Sequence, residues 1–122
     1  MTIQECYQEI GGNYESVLKR FMSPNLVKKF IGKFLDDGSY DALCKEMDAG
    51  NREEAFRAAH TLKGVCQNLG LGRLSVSSGL ITDILRVPQD IIPEEAVVLM
   101  ETVKNDYRKT VDAIRTYLES EA

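Results

Sequence analysis

The sequence predicts an all-α protein, an up-and-down antiparallel four-helix bundle with short extra helices at its N-terminus. Three observations carry this. Apolar residues recur at three- and four-residue spacing along almost the whole chain, the period of one face of a helix. No segment of useful length alternates apolar with polar residues, and there is no Asn-Gly hairpin turn. The breaks between periodic segments are short and hold Gly, Pro, Asn, Asp or Ser. Short connections between amphipathic helices make neighbours antiparallel.

Each element has its own local signal. Thr2 to Ile10 reads as a short helix ended by Gly11-Gly12. Asn13 can cap the next piece, Tyr14 to Met22. Ser23-Pro24 is an N-cap followed by proline at the first helical position. The helix it opens carries Leu26, Val27, Phe30, Ile31, Phe34 and Leu35. Asp36-Asp37-Gly38-Ser39 interrupts that stripe, which Tyr40, Leu43, Cys44 and Met47 resume as far as Gly50. Asn51 with Glu54 has the spacing of a capping box and opens a helix running to about Leu69. Gly70 and Gly72 then supply a sharp turn. Leu74, Ile81, Ile84 and Leu85 mark the following helix, with Gly79 a weak spot inside it. Pro88 and Pro93 bracket a loop. Pro93-Glu94-Glu95 starts a last long helix bearing Met100, Val103, Tyr107, Val111, Ile114 and Leu118. Residues 1–122 therefore read as one domain, with a bundle core at about 24–119 and residues 1–22 as a helical extension.

Composition narrows the function classes. With 43% hydrophobic and 28% charged residues the chain should fold. Its net charge of −4 argues against nucleic acid as the main partner, because neutralising phosphates takes a basic stripe. No apolar run approaches the ~18 residues of a membrane span, and Met1-Thr2-Ile3-Gln4-Glu5 does not look like a secretion signal. There is no internal repeat and no low-complexity segment. The three cysteines lack CxxC spacing, which fits a reduced, cytoplasmic setting. Cys66 falls on the apolar side of its helix and reads as buried filler.

The only histidine is the chain's most informative residue. At about 100° per residue, His60 points away from Ala55, Ala58, Ala59, Leu62, Val65, Cys66 and Leu69, the apolar side of its own helix. Phe56, Arg57, Lys63, Gly64 and Gln67 flank it. A neutral imidazole keeps a lone pair that can attack phosphorus. Phosphoryl transfer needs in-line positioning and charge neutralisation more than covalent help. Lys63, one turn on, can approach phosphoryl oxygens and disfavours the imidazolium. Gly64 works by absence, because a side chain there would obstruct an incoming macromolecule. Mid-helix glycine costs about 1 kcal/mol of propensity relative to Ala, so the position calls for a reason. An aromatic at Phe56 suits a docking surface, unless the N-terminal helices cover it.

His60-Thr61-Leu62-Lys63-Gly64 followed by Asn68-Leu69-Gly70 resembles the signature of histidine-containing phosphotransfer (HPt) domains. That pattern is His, Lys at +3, Gly at +4 and Gly at +10 on the second helix of a four-helix bundle. Glu54-Ala55-Phe56-Arg57-Ala58-Ala59 is similar to the family's approach to the histidine, and the resemblance spans roughly Pro24 to Leu118. It implies a phosphorelay intermediate. His60 would accept a phosphoryl group from a receiver-domain aspartyl phosphate and pass it to another receiver aspartate. Lys63 and Gln67 would stabilise the phosphoryl group. Phe56, Arg57 and Gly64 would form the docking surface, as apolar contact within a charged rim. The implied partners are response-regulator receiver domains and a hybrid histidine kinase, with the chain itself expected to be a monomer. No cofactor of its own is implied, because Mg²⁺ comes with the receiver. No kinase activity is implied either, and no Gly-rich nucleotide loop or kinase motif is present.

The chain departs from the family pattern in places. Gln67 stands at +7 where a small residue is usual. Where some members orient the imidazole with a glutamine on the next helix, this chain aligns Thr82, with Ser78 one turn earlier. Either hydroxyl is a candidate to bond the non-reacting ring nitrogen. The N-terminal helices either cover one end of the bundle or join the docking face. Two other classes stay open: a metal or redox site from His60 with Cys6, Cys44 and Cys66, and a non-catalytic helical adaptor that binds receiver or kinase domains. Loss of His60 separates the relay from the adaptor.

Overall fold

The computed structural model describes residues 1–121, among which the only regular elements are seven α-helices. They are α1 (Ile3–Glu9), α2 (Tyr14–Phe21), α3 (Pro24–Phe34), α4 (Ser39–Asp48), α5 (Arg52–Leu69), α6 (Gly72–Arg86) and α7 (Glu94–Glu121). Side-chain caps set several starts. Asn13 Oδ1 accepts from the Ser16 N–H, and Ser23 Oγ accepts from the Leu26 N–H ahead of Pro24. Thr2 and Glu5 form a reciprocal capping box that holds the Glu5 carboxyl below its usual range, chiefly through the Thr2 backbone N–H. Only half of the box expected at α5 forms. Asn51 Oδ1 accepts from the Glu54 N–H, but the Asn51 N–H donates to the Glu46 carbonyl and the Glu54 carboxylate faces Arg57.

Helices α4 to α7 make the up-and-down bundle, joined by turns at Ala49–Asn51 and Gly70–Leu71 and a longer loop before α7. α7 runs past the other helices and closes the bundle. Its Tyr107 ring stacks flat on Tyr40 of α4, with centroids 3.6 Å apart, and tilts against Phe34 of α3 at 5.9 Å. Helix α5 buries Ala55, Ala59, Leu62, Cys66 and Leu69, so its inward face is the periodic one. No helix is long and apolar enough to cross a membrane.

Of the two places open to the N-terminal helices, the structure shows the first, over one end of the bundle. Ile3, Cys6, Tyr7, Ile10 and Val17 belong to the same hydrophobic cluster as the bundle helices. Their polar groups donate to carbonyls in the last turn of α5. Buried Tyr7 donates its hydroxyl to the Leu69 carbonyl at 2.8 Å, and the Arg20 guanidinium donates to the Gln67 and Asn68 carbonyls. The Arg73 N–H returns a bond to the Ile10 carbonyl at 3.0 Å. Backbone meets backbone here. A Cβ on Gly12 would strike the Gly70 carbonyl, and one on Gly72 would strike Gly11. Gly70 is also the left-handed cap of α5, with φ 64°.

Candidate functional site

The site is the outer face of α5. Because Leu62 and Cys66 face inward, His60 is exposed, together with Arg57, Gly64 and Gln67, while Phe56 and Lys63 are half-buried. A Cβ built on Gly64 meets nothing within 4 Å. The glycine serves no close helix–helix contact, and the space beside His60 is open. Arg57 is turned back along α5, 3.0 Å from Glu53 and 3.4 Å from Glu54. Lys63 makes no side-chain hydrogen bond or ion pair among the described residues.

Two expectations need correction. Neither Ser78 nor Thr82 bonds the imidazole. Both are fully buried on the core face of α6 and donate to helix carbonyls: Ser78 Oγ to Leu74 O and Thr82 Oγ1 to Ser78 O, each at 2.6 Å. A buried hydroxyl must find an acceptor, and the carbonyl one turn back is nearest, whereas His60 lies on the opposite, solvent side of α5. Phe56, in turn, is half-covered, but not by the N-terminal helices. The Arg86 guanidinium lies over its ring, 5.2 Å from the centroid, and the His60 ring stands 5.9 Å away on its own helix. Sequence reasoning missed Arg86. Counting outward from the Gly70–Leu71 turn along two antiparallel helices pairs position 56 with 85, next to Arg86, so the signal was present in the turn position.

Cys6 and Cys66 are fully buried, and Cys44 is partly so. Burial pushes the Cys6 thiol up to about 11, with help from Glu9, and Cys66 up to about 12 against a smaller opposing bond from Ser78. Thiolates are the metal-binding and nucleophilic form, so these two sulfurs are packing residues. Among the described residues no three His, Cys, Asp or Glu side chains gather as a metal site requires.

The exposed His60 imidazole thus stands midway along α5, with Arg57 and Lys63 on the same helix and Arg86 on the next. The family model of the Hpt domain matches residues 29–120, and the chain belongs to that family. Neither the curated proteins nor the solved structures give a match. Hpt domains are phosphotransfer modules of two-component signalling, in general without kinase activity, that work with response-regulator receiver domains and kinases. The matched span starts inside α3, so α1 and α2 lie outside it.

Proposed function

We propose that the chain is a phosphorelay intermediate in which His60 carries the phosphoryl group between receiver domains. The carrying observation is the chain's single imidazole, exposed on α5 beside a glycine with open space around it. A neutral ring nitrogen attacks phosphorus in line. The P–N bond forms as the bond to the aspartyl oxygen breaks, the carboxylate leaves with the electron pair, and the imidazolium sheds its proton to water. Onward transfer runs the same bonds in reverse. Lys63, one turn on, neutralises phosphoryl charge, and the Gln67 amide can donate to it. Phe56, Arg57 and Gly64 form the surface on which a receiver sits. Mg²⁺ arrives with the receiver's acidic residues, so the chain needs no cofactor of its own. A hybrid histidine kinase upstream, a cytoplasmic setting and a monomeric chain complete the reading.

The test is transfer from a radiolabelled phosphorylated receiver with Mg²⁺, beside a His60→Ala control. Acid-labile, base-stable label on the wild type alone is expected. No label from a broad panel of receivers, with the fold intact, overturns the relay and leaves an adaptor.

A further inference from the structure

We propose that the outer face of α6, with the flank of α7 beside it, is a docking site for a basic amphipathic helix of a partner protein. α6 is apolar on two sides. Its inner side buries Leu74, Ile81 and Leu85, together with the hydroxyls of Ser77, Ser78 and Thr82. Its outer side carries Val76, Leu80, Ile84 and Val87, of which Val76 is 64%, Leu80 51% and Val87 57% exposed. Exchanging the two sets would bury more apolar surface and fewer hydroxyls, so the arrangement does not serve stability. Steps of four, four and three residues put the outer side chains within an arc of about 80°. That stripe is centred about 120° round the helix from Arg86, which faces Phe56 on α5. It therefore looks toward α7 and solvent. On α7, Tyr107 faces α4. Glu95, Leu99, Thr102 and Asp106 form a ridge about 110° round from it, on the flank toward α6, where Leu99 and Asp106 are half-buried.

Shape and charge select the occupant. From Val76 to Val87 the stripe runs about 16 Å, three turns of helix. One helix laid along it matches that length. A second copy of this chain does not, because a strip this long and one helix wide falls well below the ~800 Å² per partner of a stable dimer. A twofold contact would also set like charges against each other. Those charges are acidic. Between Leu74 and Asp106 stand Asp83, Asp90, Glu94, Glu95, Glu101 and Asp106, against only Arg86 and Lys104. Six acids against two cations leave −4, the net charge of the entire chain. Asp83 borders the stripe on α6, and Glu95 and Asp106 border it on α7. An apolar stripe in an acidic rim fits a helix with apolar residues at i, i+4 and i+7 and Lys or Arg along its edges. The same rim repels an anionic lipid surface. The stripe lies on another side of the bundle from His60, so a partner held here leaves the imidazole open. Such a hold would raise the effective concentration of that partner at the chain without occupying the outer face of α5.

The test uses the full chain and synthetic peptides, and it is independent of any chemistry at His60. The probe is an end-capped Leu/Lys peptide whose leucines fall on one helical face. One control peptide keeps the lysines and replaces leucine by serine. The other keeps the leucines and replaces lysine by glutamate. Backbone amide NMR shifts on adding the Leu/Lys peptide are expected to cluster at residues 76–87 and 95–106 and to spare 56–67. Neither control should move them. Leu80→Ser should weaken binding about tenfold, the effect of losing one central apolar anchor. Its side chain is half exposed, so the fold should survive, as circular dichroism checks. Glu95→Gln together with Asp106→Asn should weaken binding about threefold and flatten its salt dependence. Equal binding of the Ser/Lys peptide would reduce the face to bulk charge and overturn the proposal. So would shifts centred on the outer face of α5, no shifts at millimolar Leu/Lys peptide, or wild-type affinity in a folded Leu80→Ser variant.

Discussion

Filling Gly64 should raise stability and lower transfer together. Its Cβ position is empty to 4 Å and exposed, and its backbone is ordinary helix. Gly64→Ala therefore clashes with nothing and recovers the roughly 1 kcal/mol that glycine costs inside a helix. For a chain of this size that is a rise in Tm of about 3–5 °C. Gly64→Gln should gain most of the same amount while standing a long side chain beside His60. Overpacking a fitted contact costs ~1–3 kcal/mol, which is roughly 5- to 150-fold in kcat/KM for a receiver donor. Phosphoramidate, being small, should label Gly64→Gln as readily as wild type. Gly70→Ala is the control. It would place a Cβ at φ 64° against Val17 and should lower Tm. Thermal melts and transfer rates measure both effects. A lower Tm for Gly64→Ala would mean that the glycine serves packing, and undiminished transfer by Gly64→Gln would refute the docking argument.

Other perturbations separate the remaining roles. Lys63→Ala should slow transfer and shorten phosphohistidine lifetime, and unchanged kinetics would reduce Lys63 to a solvated charge. Thr82→Val should leave transfer untouched, because its hydroxyl serves the Ser78 carbonyl; a loss of rate would contradict that placement. Tyr7→Phe removes a buried donor from the Leu69 carbonyl and should cost about 1 kcal/mol in urea melts. Raised thiol values at Cys6 and Cys66 mean that folding favours the neutral thiol. That stability is complete below the unfolded value of about 8.5 and is lost as pH rises toward the folded values. Urea midpoints should hold to about pH 8.5 and then decline, with a smaller decline in Cys66→Ala.

The sequence by itself determined what one helix decides alone. The caps at Asn13, Ser23 and Asn51, the left-handed stop at Gly70 and the inward stripe from Ala55 to Leu69 all follow from local propensity and the 3.6-residue period. So does the outward direction of His60 and the clearing at Gly64, since the angle between two residues of one helix does not depend on its neighbours. Contacts between helices were decided only by the tertiary structure. Thr82 turns into the core, Arg86 crosses to Phe56, and the first two helices cap the end of α5. These depend on the rotation and register of each helix against the next. Packing of the whole core sets both, down to the backbone contacts of Gly11 and Gly12 with Gly72 and Gly70.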